Sequence, residues 1–234
     1  MSRRGKFITF EGLDGTGKST QMRKLAAALR AAGYKVIETR EPGGTATGEK
    51  IRRVLLDSKT EGLSPLAEMA LMFASRAQHL AEVIEPALES GQVVLCDRFT
   101  DSTEAYQGYG RKLGSAAVLK LHEILCGGLQ PDLTILLDND VATSVGRARL
   151  RNRRALHGAN DTANKSAGKQ HADENRFEQQ TRAFFARVHE GYKAIAARET
   201  GRVVTVNASG TPAQTHRKIV DAAARISKIV PKTA

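Results

Sequence analysis

Short runs of β-branched and aliphatic residues alternate along the chain with stretches in which apolar residues return every three or four positions. The runs predict strands at 6–11 (KFITFE), 35–39 (KVIET), 93–97 (VVLCD), 133–138 (LTILLD) and 203–206 (VVTV). The central runs are apolar without alternation, the pattern of strands covered on both faces in a parallel sheet. Met22, Leu25, Ala26 and Leu29 recur at i, i+3, i+4 and i+7, one face of a helix that stops at Gly33. Residues 64–89 read as a long helix with a bend at Pro86. Phe177, Thr181, Phe184, Phe185, Val188, Tyr192 and Ile195 mark another helix, and a closing one covers roughly 211–228. Strand and helix alternate throughout, which predicts an α/β fold with a doubly wound parallel sheet of five strands flanked by helices.

One stretch departs from this alternation. Residues 155–175 (ALHGANDTANKSAGKQHADEN) hold one large aliphatic residue among Ala, Gly, Asn, Asp and Lys. They bury too little apolar surface to offset the entropy of ordering, so a mobile loop is expected. With no repeat and no linker-like segment, residues 1–234 read as one domain with one flexible excursion.

Composition narrows the function classes. No run of 18 apolar residues occurs, which argues against a membrane span, and the start MSRRGKFITFEG has too short an apolar core for a signal peptide. Cys96 and Cys126 sit inside apolar runs and read as reduced core residues of a cytoplasmic protein, not as a disulfide framework or metal site. The net charge of +11 raises nucleic-acid binding as a rival class. Its densest cluster is Arg147, Arg149, Arg151, Arg153 and Arg154, and no aromatic residue interleaves with it to stack a base. Such a cluster serves equally to clamp phosphates or to end a solvated helix.

The segment EGLDGTGKST, 11–20, leaves the first predicted strand and fits G-x-x-x-x-G-K-[ST] from Gly12 to Ser19. It makes the fold a P-loop NTPase-type one. Glycines let backbone N–H groups turn inward toward phosphate oxygens, and the following helix aims its positive end at them. Gly12, Leu13, Asp14, Gly15, Thr16, Gly17, Lys18, Ser19 and Thr20 are thus expected to bind the phosphates of a nucleotide. Lys18 would reach the β and γ phosphates, and the Ser19 hydroxyl is the expected protein ligand of Mg²⁺. A P-loop alone does not name the acceptor.

Three other segments address the acceptor: TREPGGT (39–45), FASRAQH (73–79) and DRFTDSTEAYQGYGR (97–111). Two of them leave the carboxyl ends of predicted strands, where ligands bind in such sheets. Together with EGLDGTGKST and PDLTILLD (131–138), they resemble the thymidylate kinase family along nearly the whole chain. The resemblance implies transfer of the γ-phosphoryl of ATP to dTMP, giving dTDP, and it implies a homodimer. The 64–89 helix would supply the dimer face, although ordinary burial explains its stripe as well. No nucleic-acid or membrane partner is expected. A kinase for UMP or dCMP is the nearest alternative; a nucleic-acid-stimulated ATPase or an inactive nucleotide-binding scaffold are more distant ones.

The resemblance also assigns roles. Arg98 holds the acceptor phosphate, with a structural salt bridge to Asp97 as its plain alternative. Asp97 stands near Mg²⁺ or Arg98. Arg52 is a second phosphate ligand or a solvated helix arginine. Arg76, Thr103 and Gln107 read the base, since a guanidinium donor suits the position-4 acceptor of thymine and repels the amino group of cytosine. The family usually has a stacking aromatic four residues before this arginine; this chain has Met72, with Phe73 beside it, and either one stacks or both are core residues. Tyr106 crowds the sugar's 2′ position, and Asp14 reaches the 3′-hydroxyl or a metal-bound water. Adenine falls near Asn207 and Ala208. Gly15 stands where some members carry a P-loop arginine, so the chain resembles the basic-lid type, with a lid at about 147–177 and Arg149, Arg151 and Arg153 as candidates for the transferring phosphate.

Overall fold

In the computed structural model, residues 4–57, 59–60, 62–150 and 176–224 are described. Five strands form one parallel sheet: β1 (Lys6–Glu11), β2 (Val36–Arg40), β3 (Val93–Asp97), β4 (Leu133–Asp138) and β5 (Val203–Asn207), in the order β2-β3-β1-β4-β5. Each strand expected from the sequence is present. β2 and β5 run one residue further than expected, because Arg40 still pairs with Asp97 and Asn207 with Asp138. The helices are α1 (Lys18–Ala31), α2 (Ala46–Leu56), α3 (Pro65–His79), α4 (Glu85–Glu89), α5 (Thr100–Thr103), α6 (Ser115–Cys126), α7 (141–150), α8 (Arg182–Arg198) and α9 (Pro212–Ala223).

β1 is the middle strand, and its side chains alternate between two cores. Phe7 packs with Val94, Cys96 and Phe99 under α3 and α6, whereas Ile8 and Phe10 pack with Leu95 and Ile135 under α1 and α9. A third cluster joins Leu13 to Tyr106, Phe177 and the Phe184 face of α8. Helix starts are fixed locally: Thr45, Ser64, Thr181 and Thr211 each accept a backbone N–H from the first turn of α2, α3, α8 and α9. The two cysteines are buried free thiols.

Three expectations need correction. The 64–89 helix is continuous but passes through a π-turn, Leu80–Ile84, before α4. Pro86 has no N–H for the carbonyl four residues back, and the widened turn just before it carries the chain on without a break at Pro86 itself. Phe177 and Thr181 are not on α8: Phe177 lies in the preceding turn and Thr181 is the cap, although the ring of Phe177 still packs in the same cluster. The closing helix ends at Ala223, and residues 225–234, like the expected excursion at 155–175, lie outside the described residues. No described helix is long and apolar enough to cross a membrane.

Candidate active site

β1 sits where the strand order reverses, so the loop after Glu11 opens at the carboxyl edge of the sheet between β3 and β4. The loop 12–17 connects it to α1, whose N-cap is Gly17 with no side-chain cap and no acidic residue in the first turn. The positive end of the helix is therefore not neutralised by its own side chains. Thr16 closes the loop by donating its hydroxyl to Leu13 O at 2.9 Å. Leu13 is 2% exposed and anchors the loop in the third core, so its contribution to a phosphate site is through the backbone. Lys18 Nζ donates to Gly12 O and Leu13 O at 3.0 Å each and lies 3.7 Å from Asp14. Thr20 is exposed one residue beyond Ser19.

Gly15 shows why this loop carries no arginine at that position. Its φ is +84°, and a Cβ there would lie 2.1 Å from Ser144 O in α7. The backbone of α7 occupies the space a side chain would need. Gly15→Ala is expected to cost about 1–3 kcal/mol and to weaken ATP binding. Thermal unfolding with and without ATP measures both; an unchanged midpoint would show that α7 yields at no cost.

The carboxyl end of β3 supplies the facing wall. Ser19 Oγ donates to Asp97 Oδ2 at 2.8 Å, so the two residues expected around Mg²⁺ are brought together. Arg98 has φ +73°, which turns its side chain away from the strand direction. Its guanidinium pairs with Asp14 at 2.9 Å and donates to Ser102 Oγ at 2.9 Å, Tyr192 OH at 3.1 Å and Tyr106 OH at 3.3 Å. The Tyr106 ring lies 5.0 Å beneath it. The expected structural alternative, a bridge to Asp97, is not formed, because Asp97 points to Ser19 and Arg98 to the P-loop. The neighbouring acids, Asp14 above all, overcome burial and hold the guanidinium charged.

Arg76 is 2% exposed, on α3. Its Nε donates to Glu41 Oε2 at 2.6 Å and its Nη2 to Thr103 Oγ1 at 2.9 Å. Its Nη1 is buried and has no hydrogen-bond partner among the described residues. A buried guanidinium with one donor left over is what a base-reading arginine needs. Phe73 is fully buried, with its ring 4.9 Å from the Arg76 guanidinium, and packs in the α3–α6 core. Met72 is half-buried against the Tyr106 and Phe177 cluster and is the member of the pair that borders the site. Gln107 Nε2 donates to Glu68 Oε1 at 2.8 Å, and Glu68 is held in turn by Arg111 and Arg176.

Other expected residues fall further out. Arg52 Nη1 donates to Pro42 O at 2.9 Å. Arg149 is exposed and donates to the carbonyls of Glu178 and Gln180, tying α7 to the turn before α8. Arg151 and Arg153 lie outside the described residues. Asn207 accepts from Ser209 N–H, while Ala208 N–H donates to Asp138 O at 2.8 Å.

Sequence reasoning missed the residues behind the arginines. Glu41, His79 and Cys96 place their ligand-type atoms within 4.8 Å of one another, yet the carboxylate already holds Arg76 and His79. A fixed cation thus fills the role a metal would have. Glu11, Ser102 and Tyr192 were likewise overlooked. A signal existed for Glu11: the period of Phe7 and Thr9 places it on the covered face of β1, and a buried carboxylate must be partnered.

A phosphate loop at the switch point of a five-stranded parallel sheet defines a P-loop nucleotide-binding protein. Its sequence matches the Thymidylate kinase family over residues 10–219. It is 49% identical to the thymidylate kinase of Trichlorobacter lovleyi over 216 residues, 92% of this chain and 95% of the relative. Identity to the thymidylate kinase of Solidesulfovibrio magneticus is 49% over 206 residues, 88% and 92% of the two chains. A crystal structure of thymidylate kinase from Ehrlichia chaffeensis superposes with a TM-score of 0.68 at 30% identity, covering 93% of this chain and 98% of that one. The chain belongs to the thymidylate kinase family.

Proposed function

We propose that this chain transfers the γ-phosphoryl group of ATP to the 5′-phosphate of dTMP, yielding dTDP and ADP. The observation that carries the reading is that donor and acceptor elements meet at one point: the Arg98 guanidinium stands 2.9 Å from Asp14, inside the ATP loop. Family membership supplies the substrate class, and the spare donor of buried Arg76 fits the position-4 oxygen of thymine.

The chemistry asks little covalent help of the protein. The acceptor phosphate oxygen is already anionic, so positioning and neutralisation of charge dominate. Gly12, Gly15, Gly17 and Lys18 hold the donor phosphates. Arg98 holds the acceptor phosphate through a planar fork, with Arg52 as a second ligand. Ser19 Oγ and Asp97 Oδ2, hard oxygen donors 2.8 Å apart at the loop mouth, fit Mg²⁺ and would hold it. When bound, the ion neutralises charge on the β and γ phosphates. Arg76, Thr103 and Gln107 read the base, Met72 packs on it, Tyr106 crowds the 2′ position and Asp14 meets the 3′-hydroxyl. The chain is expected to work as one domain in the cytoplasm, with the basic residues for the transferring group in the segment of about 147–177, of which 151–175 lie outside the described residues. A second copy of the chain is the expected partner; among the described residues Leu66 on α3 and Ile124 on α6 are the most exposed large hydrophobics.

The test is transfer from γ-labelled ATP to a panel of nucleoside monophosphates with Mg²⁺. dTMP is expected to be labelled, with a kcat/KM advantage over dCMP of about 10⁴. Labelling of UMP or dCMP in preference to dTMP, or ATP turnover that depends on DNA, overturns the reading.

A further inference from the structure

Glu11 ends β1 fully buried. Among the described residues, no lysine or arginine forms an ion pair with it. It is satisfied instead by three donors: Phe99 N–H at 2.7 Å, Ser102 Oγ–H at 2.5 Å and Tyr192 O–H at 3.1 Å. The same two hydroxyls accept from Arg98 Nη1, at 2.9 and 3.1 Å. Each hydroxyl has a single proton. The two hydroxyls also lie 2.9 Å apart, so a proton goes either to Glu11 or to the neighbouring hydroxyl. In both cases lone pairs are left facing the guanidinium, and the network runs from guanidinium through hydroxyls to carboxylate. The third bond pins the N–H of Phe99, the residue that follows the left-handed turn at Arg98. Two independent contacts of one carboxylate thus fix both the backbone beside Arg98 and one edge of its fork.

We propose that Glu11 is a positioning residue of the phosphoryl transfer: through Ser102 and Tyr192 it holds Arg98 aimed at the acceptor phosphate. The inference rests on the role given to Arg98 above. Burial, reinforced by the charge of Asp101, pushes the Glu11 carboxyl up to about 7 against Arg98 and the donor groups, so the acceptor-only form prevails above neutral pH and the variants are compared at pH 8. A strand-end carboxylate this costly to bury has a use in keeping hydroxyl protons off the arginine.

Glu11→Gln keeps the shape but presents an amide donor where the carboxylate only accepts. Oε1 holds Phe99 N–H and Oε2 holds both hydroxyls, so the amide group must face either the fixed N–H, breaking the backbone contact beside Arg98, or the two hydroxyls, turning their protons toward Arg98. Loss of a charge-assisted link predicts about a tenfold or larger fall in kcat/KM for dTMP with the KM for ATP unchanged. Tyr192→Phe keeps the ring in the third core and removes one of the two bridges, so the same split appears at several-fold; it carries the test should Glu11→Gln not fold. In an Arg98→Ala background neither change lowers activity further. The proposal is overturned if both single variants keep wild-type kinetics, if the KM for ATP rises in step, or if their effects multiply with Arg98→Ala. Wild-type kinetics in Arg98→Ala itself would instead remove the role of Arg98 and the positioning role of Glu11 with it, while leaving dTMP phosphorylation standing.

Discussion

Arg98→Ala is expected to lower kcat/KM for dTMP by about 10³, the scale on which a guanidinium at the transferring phosphate contributes in related reactions. Arg98→Lys keeps the charge but loses the two-pronged grip, and a loss of about 10² is expected, because an ammonium is a point charge. Stability should fall by less than at the almost fully buried Arg76. The side chain is 16% exposed, its partner Asp14 is 29% exposed, and a φ of +73° is costly for any residue with a Cβ. A purely structural arginine would give the opposite pattern, with a lower melting temperature and near-normal turnover. Steady-state kinetics with dTMP and with ATP varied in turn, beside thermal unfolding of each variant, separates the two. A fall confined to the ATP side would move Arg98 from the acceptor to the donor.

The sheet was legible because buried parallel strands leave runs rich in β-branched and aliphatic residues, and β1, β3 and β4 do so within the expected bounds. The P-loop was legible because its backbone demands particular residues at fixed spacing. What escaped was whatever depends on three-dimensional company. Asp97 and Arg98 are adjacent in sequence, yet the left-handed backbone at Arg98 sends them to different partners, Ser19 and Asp14. Met72 and Phe73 look interchangeable as stacking residues until helix rotation puts Phe73 under Arg76 in the core. Phe177 matched the α8 stripe because its ring returns to the same cluster from a turn. The supports of the arginines, Glu11 for Arg98 and Glu41 for Arg76, come from strands and loops 87 and 35 residues away in sequence. No local period records such pairs.

Arg76→Ala should damage stability and specificity together, and the two can be pulled apart. Arg76 and Glu41 are both almost fully buried and 2.6 Å apart. Removing the cation leaves a buried carboxylate with only His79 beside it, a loss of about 3–5 kcal/mol near neutral pH. The pH dependence gives the sign. In the intact protein burial raises the Glu41 carboxyl, but Arg76 and His79 outweigh it and hold it below its ordinary 4.5. That interaction stabilises the fold above 4.5 and is lost as the pH falls through the depressed value. Without Arg76, burial prevails and the carboxyl moves upward, so acidification toward 4.5 should now recover stability. Urea unfolding at pH 8 and at pH 5 reads this reversal directly. Adding Glu41→Gln to Arg76→Ala replaces the stranded charge with an amide and should restore much of the stability at pH 8. It should restore none of the preference for dTMP over dCMP, because the donor to the thymine oxygen is still missing. If the double variant regains both, Arg76 is a strut for Glu41 and the base is read elsewhere; if it regains stability alone, the buried guanidinium is the group that distinguishes the pyrimidines.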